Sequence, residues 1–366
     1  MHLDRPTSIL IDLVRILAAL VVTAGHTAVL GVYAGPLPRY AMIGQDAVLT
    51  FFVLSGFVIY GTANRPGASF RQYCIARVSR LLPVAIVATI FAAIAFALSV
   101  HYGARNLNPP RFSVASPESL FLSLTFMNEH AADYPGALSN PPYWSLCYEA
   151  WFYAIFGAWF FLRGAMRVAL VAFCALCAGP NILLLLPVWI CGVVVAAGRL
   201  PFLTQSNARL VACLSFGCFV LFAITGFPLT VNRFLADHGV DIAGLGFSQF
   251  FLTDYVEGAC LAMLLGSLRW CIVDGFPGMD RIAGPVRMLA GCSFSLYLFH
   301  WPMLIALDAL GLSGSRNPLS LIVIVAALVA FAWTVSLLLE RRIPIMLRTL
   351  MDRMADPRTG RTTLAG

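Results

Sequence analysis

The chain has 366 residues, 60% of them hydrophobic and 11% charged, and its formal net charge of +7 is carried by arginine with no lysine. Soluble domains carry about 25% charged residues, and transmembrane β-barrels alternate polar and apolar residues along each strand. The continuously apolar runs exclude both and predict an all-α polytopic membrane protein.

Ten spans are predicted, over residues 9–30, 45–62, 80–100, 143–162, 166–179, 181–198, 208–226, 247–268, 287–310 and 319–340. The first holds Asp12, Arg15 and His26. An Arg or Asp near the bilayer centre costs about 2.5–3.5 kcal/mol, so a plain anchor would not carry them. At about 100° and 1.5 Å per residue, Arg15 and His26 share one helix face and stand roughly 16 Å apart along the axis. Asp12 can reach the Arg15 guanidinium across the helix surface. Read structurally, Asp12 and Arg15 pair near the membrane edge and His26 is a hydrogen-bonded core residue. Read functionally, one face holds an ion pair at one depth and a titratable imidazole three turns further on. The run is too long for a signal-peptide core and lacks a small-residue cleavage pattern, so it reads as a retained span.

In the second span, Ser55 and Gly56 of Phe51-Phe52-Val53-Leu54-Ser55-Gly56-Phe57 let a neighbouring helix approach closely. At the start of the third, Arg77 and Arg80 lie one turn apart on one face. Two guanidiniums so placed make an anion receptor suited to phosphate, and equally serve as a basic anchor at the membrane surface. The long loop over residues 101–142 contains Glu118, Glu129, His130 and Asp133. Loops of this length are functional or disordered, and this one is placed to cover or admit an external substrate. Glu149, inside the fourth span, is a second intramembrane carboxylate, and the eighth span carries Asp254 and Glu257 on one face. In the ninth, His300 lies near mid-membrane with Tyr297 one turn away, and Pro302 frees a backbone carbonyl. The tenth closes with Glu340-Arg341-Arg342-Ile343-Pro344, where Glu340 is expected to pair with an arginine of a neighbouring span. Arg15, His26, Glu149, Asp254, Glu257 and His300 are expected to converge on one polar cavity. The ten cysteines lie mostly inside apolar runs and read as small packing residues, so neither a disulfide framework nor a metal site is expected.

With the N-terminus in the cytoplasm, eighteen arginines fall on the cytoplasmic side, five (Arg39, Arg105, Arg111, Arg233 and Arg316) on the other, and Arg15 inside the membrane. This bias places both termini in the cytoplasm. Residues 1–345 form a single membrane domain, and residues 346–366 are expected to be a short, polar, frayed tail.

Taken together, Asp12-Leu-Val-Arg15 with ten residues to His26, the Phe-Phe-Val-Leu-Ser-Gly-Phe of span two, Arg77-Val-Ser-Arg80 followed by Pro83, Trp144-Ser145-Leu146 leading to Glu149, Ser295-Leu-Tyr297-Leu-Phe-His300-Trp-Pro302, and Glu340 with Pro344 resemble the acyltransferase-3 family of bacterial inner-membrane O-acyltransferases. Each motif is short, but six in the family's order on a multi-span frame are specific. The chain departs from the pattern at Gly44-Gln45-Asp46, where the acid stands four residues earlier than usual, which leaves a role for Asp46 open. No esterase-like appendage follows the last span, so the chain resembles a stand-alone form.

The resemblance implies an acyl donor, acetyl-coenzyme A, on the cytoplasmic side and an acceptor hydroxyl on an extracytoplasmic or lipid-linked glycan. The partners are then the lipid bilayer, acyl-coenzyme A and a saccharide acceptor, with no nucleic acid and no metal; nothing in the spans fixes an oligomeric state. Arg77 and Arg80 would hold the coenzyme A phosphates, and Ser55, Tyr297 and His300 would line the donor's path. His26 is the candidate base, since an imidazole titrates near neutrality. Arg15 would hold the thioester, the pantetheine or a developing oxyanion, and Glu149 would orient His26, the acceptor or a water. Direct transfer is preferred over an acyl-enzyme through His26 or Ser55. The rival from another class is an ion-coupled transporter or flippase, to which intramembrane charges also suit; the lack of inverted repeats weighs against it.

Overall fold

The computed structural model describes residues 4–36, 41–102, 117–129 and 140–355, and within them there is helix and no strand. His130 and Asp133 of the long loop, together with Arg39, Arg105, Arg111, Arg358 and Arg361, lie outside the described residues.

Helix α1 (Arg5–Val29) starts at Asp4, whose carboxylate caps it by accepting from the Thr7 N–H at 2.7 Å, with Pro6 in the first turn. Then follow α2 (Ala41–Ala63), α3 (Phe70–Tyr102), the short α4 (Pro117–Leu124), α5 (Trp144–Phe161), α6 (Gly164–Ala196), α7 (Ala208–Thr225), α8 (Phe227–Asp237), α9 (Phe251–Cys271), α10 (Met279–Ala290), α11 (Ser293–Ala309), α12 (Pro318–Ser336) and α13 (Ile343–Ala355). Among the described residues seven helical runs are long and apolar enough to cross a membrane, or eight if α10 and α11, bent by 51°, make one span. The count of ten read from sequence differs at two places. Residues 166–179 and 181–198 are two helical segments parted at Gly179, where φ is 78° and ψ is 170°, as the Gly179-Pro180-Asn181 turn predicts. Together, as α6, they count as one apolar run. Helix α5 falls short in hydropathy because its tryptophans, tyrosines and Glu149 dilute the aliphatic content.

The bilayer explains the exterior. Leu17 and Val21 of α1, Ile90 and Ile94 of α3, Leu214 and Ile224 of α7, and Ile322 and Val323 of α12 are all exposed. An apolar surface spread over so many helices is incompatible with water.

Helix α2 sits in the middle, with α1 on one side and α6 and α9 on another. Its approach to α6 is reciprocal: a Cβ on Gly56 would overlap the Trp189 carbonyl, and a Cβ on Gly192 would overlap the Val53 carbonyl. Small residues at one crossing thus set the helix separation. Overpacking costs about 1–3 kcal/mol. We expect Gly192→Val to lower the thermal unfolding midpoint of the purified protein accordingly, and an unchanged midpoint would show that α2 and α6 can separate freely.

Both ends of the bundle are tied. At one end Arg5 pairs with Asp280 at 2.7 Å; at the other, the Ala34 N–H donates to the Ser315 carbonyl at 2.8 Å. Of the tail, residues 346–355 are helical within α13, and residues 356–366 lie outside the described residues. Helix α13 continues α12 without a gap through a π-helical stretch, Leu337–Arg342. Pro344 thus falls inside a helical run, where its missing N–H interrupts the ladder of backbone hydrogen bonds. Arg348 Nε donates to Ser79 Oγ at 3.1 Å and Arg71 Nη2 to the Met351 carbonyl at 2.7 Å, which docks α13 onto α3.

Candidate active site

A narrow cavity opens between α1, α2, α3, α5 and α11. Its volume open to the centre of a water molecule is about 70 Å³. Its polar wall is Arg15 from α1, Ser55 from α2, Arg80 from α3, Glu149 and Tyr153 from α5, and Tyr297 from α11; its apolar wall includes Val48 and Phe51.

Glu149 is the hub of that wall. Its Oε1 accepts from Ser55 Oγ at 2.6 Å and from the Tyr153 hydroxyl. Trp189 Nε1 donates to Ser55 Oγ at 3.2 Å, so the Ser55 proton is directed at the carboxylate. Arg15, Arg77 and Arg80 all lie within electrostatic range of Glu149. Arg15 also meets Asp12, Nη1 to Oδ1 at 3.6 Å, as the three-residue spacing predicts.

Arg77 and Arg80 lie within electrostatic range of each other. Arg80 lies on the cavity wall facing Glu149, Tyr153 and Glu340. The Arg77 guanidinium sits over the rings of Tyr153 at 5.6 Å and Tyr73 at 5.9 Å, and its Nε and Nη1 are buried with no hydrogen-bond partner. Donors left unpaired in this way are costly, and an anion would satisfy them.

Glu340 lies within electrostatic range of Arg80 and Arg15, as expected, while its hydrogen bonds come from Ser295. A π-helical stretch, Leu337–Arg342, aims its carboxylate at the start of α11, where Oε1 accepts from the Ser295 N–H at 3.0 Å and from Ser295 Oγ at 2.6 Å. A carboxylate on a helix N-terminus satisfies donors that the helix cannot, and here it anchors the helix bearing Tyr297 and His300. The carbonyl freed by Pro302 is that of Leu298, and Asn140 Nδ2 donates to it at 3.0 Å.

His26 lies further along. On α2, residues 55, 51, 48 and 44 follow one face; the cavity wall takes in the first three, and one turn beyond Val48 a Cβ on Gly44 would stand 3.8 Å from His26 Nε2. Since α1 carries Arg15 and His26 eleven residues apart and α2 carries Ser55 and Gly44 at the same separation, the two stripes run side by side for roughly 16 Å. His26 is half-buried, and its Nδ1 lies 2.7 Å from His300 Nε2. His300, expected along the donor's path, is buried, and its Nδ1 meets the Leu296 carbonyl at 3.1 Å.

The six intramembrane groups therefore do not all converge. Arg15 and Glu149 line the cavity, and His26 and His300 form a pair above it. Asp254 and Glu257 instead join Asp46 in a separate buried cluster between α2 and α9, in which Gln45 Nε2 donates to Asp254 Oδ2 at 3.0 Å. Tyr153 was missed in the sequence although it follows Glu149 by one turn on the same face, a spacing that would have found it. Trp189, about 130 residues from Ser55, left no local signal.

A family model described as an acyltransferase domain matches residues 9–341. No curated protein and no solved structure matches the chain.

Proposed function

Since the chain belongs to the acyltransferase-3 family, we propose that it is an inner-membrane O-acyltransferase that moves an acetyl group from cytoplasmic acetyl-coenzyme A to a hydroxyl of an extracytoplasmic or lipid-linked glycan. One observation carries this reading: a slender crevice walled by Arg15 and Arg80 lies on the same stripes of α1 and α2 that carry, roughly 16 Å further on, the half-buried His26. A thin pantetheine arm suits that shape, with Arg77 and Arg80 on the phosphates. The arginine bias supports placing both termini in the cytoplasm, so that the donor reaches Arg77 and Arg80 from that side.

In the direct route the acceptor O–H gives its proton to His26, its oxygen bonds to the acyl carbon, the C–S bond breaks, and the proton passes to the departing thiolate sulfur. Arg15 faces the reacting carbonyl as charge develops on its oxygen. The Ser55–Glu149 contact supports a second route, in which Ser55 Oγ bonds to the acyl carbon as Glu149 takes its proton, the C–S bond breaks and that proton leaves on the thiol. The acceptor oxygen then bonds to the acyl carbon, the ester bond to Ser55 breaks, and the acceptor's proton returns to Ser55 Oγ. Incubation of purified protein with radiolabelled acetyl-coenzyme A, without acceptor, separates the two. Direct transfer predicts no acyl-protein and, in Ser55→Ala, turnover retained within about tenfold. A trapped ester that disappears in Ser55→Ala establishes the second route. A protein that neither binds nor hydrolyses the donor returns the transporter reading.

A further inference from the structure

The contact between the two histidines fixes more than their proximity. Their ring planes lie 4° apart with centroids separated by 5.0 Å. That separation equals the 2.7 Å nitrogen–nitrogen distance plus the two ring radii, so the rings lie edge to edge in one plane rather than stacked. This is the geometry of an N–H···N hydrogen bond along a ring lone pair.

The direction of that bond follows from the far end of the chain of contacts. A carbonyl oxygen only accepts, so the hydrogen between His300 and Leu296 belongs to His300 Nδ1. Neutral His300 then has only a lone pair at Nε2, and Nε2 accepts from His26. His26 therefore carries its hydrogen on Nδ1 and its lone pair on Nε2, the nitrogen that faces Gly44. The exposures fit this order: His300 is 1% exposed, while His26 is half-buried and reachable. Trp301, edge-on to the His26 ring with centroids 4.9 Å apart, restrains its tilt.

We propose that His300 is a positioning residue that locks His26 in the Nδ1–H tautomer, so that Nε2 alone takes the acceptor's proton, and that the acceptor hydroxyl reaches it through the space left by the missing side chain of Gly44. Glu149, bonded to Ser55 and Tyr153, is not the group that orients His26. When Nε2 gains the proton, the Nδ1–H bond to His300 persists and holds the imidazolium in place. The catalytic part rests on the acyltransferase reading; the tautomer is a property of the resting protein.

The test is nitrogen-15 NMR of histidine-labelled, full-length protein in lipid nanodiscs, with the His26 signals assigned by their loss in His26→Gln. The expected spectrum has the His26 hydrogen on Nδ1 in the wild type and loses that preference in His300→Ala. Steady-state kinetics with acetyl-coenzyme A run beside it. Removing the partner that orients a metal-bound histidine typically costs about 10–100-fold; by analogy kcat should fall by a factor of that order in His300→Ala with the donor KM nearly unchanged. His300→Gln, whose amide oxygen can accept from Nδ1–H, should recover most of the loss. A wild-type His26 hydrogen on Nε2 overturns the proposal whatever the activity, and so do equal losses in the Ala and Gln variants. An Nδ1–H signal in a protein that transfers no acyl group retires the function reading and leaves the lock standing.

Discussion

His26→Ala is expected to bind acetyl-coenzyme A as the wild type does and to turn it over about 10²–10⁴-fold more slowly, the usual contribution of a positioned general base. Binding should survive because the cavity wall is made by Arg15, Ser55, Arg80, Glu149 and Tyr297, and His26 lies beyond it. Turnover should not survive, because His300 cannot substitute: it is buried, and its Nδ1 hydrogen is held by the Leu296 carbonyl. The vacated ring site faces the Gly44 gap, so imidazole added to the medium should restore part of the rate. Equilibrium binding and single-turnover acyl transfer on the same preparation read both quantities. A variant within tenfold of wild-type turnover would remove His26 from the role of base.

The second large effect is on donor affinity, and here Arg77 is more informative than Arg80. Hydrogen bonds to a charged partner contribute about 1.5–3 kcal/mol, so losing either guanidinium should weaken acetyl-coenzyme A binding by roughly 10–100-fold. Arg80 faces Glu149 and Glu340. Removing one member of a buried charged group costs about 3–5 kcal/mol of stability, so Arg80→Ala should lose folding and affinity together. Arg77 leaves Nε and Nη1 without hydrogen-bond partners and is held by ring contacts, so Arg77→Ala should lose affinity with a smaller fall in melting temperature than Arg80→Ala. Arg77→Lys should not rescue binding, because an ammonium lacks the planar fork that grips a phosphate and stacks on tyrosine rings. Calorimetric titration with coenzyme A, beside thermal melts, checks all three; normal binding by Arg77→Ala would refute the phosphate assignment.

Much of the site was legible because helix periodicity is local. The eleven-residue spacing of Arg15 and His26, the three-residue spacing of Asp12 and Arg15, and the one-turn spacing of Arg77 and Arg80 each fix relative direction on a single helix. The approach allowed by Gly56 follows in the same way from its missing Cβ. What periodicity does not carry is which helix faces which. Asp254 and Glu257 share a face just as Arg15 and His26 do, yet that face meets Asp46 on α2 and not the cavity. Glu340, expected to pair with an arginine, lies within electrostatic range of Arg80 and Arg15. It accepts its hydrogen bonds, though, from Ser295 at the N-terminus of α11, from a π-helical stretch that a pattern of apolar residues does not reveal.

The sequence by itself determined a helical membrane protein, its family, and the residue types that crowd a polar interior, since the cost of burying arginine, histidine and glutamate in lipid makes each one stand out. Only the tertiary structure decided their pairing. Ser55 and Glu149 are 94 positions apart and His26 and His300 are 274 apart, and the partner of each is set by packing of α2 against α5 and α6 and of α1 against α11. The tautomer of His26 is the extreme case: it depends on a carbonyl of α11 that no side-chain letter encodes, reached through a ring whose orientation is fixed only once the bundle is assembled.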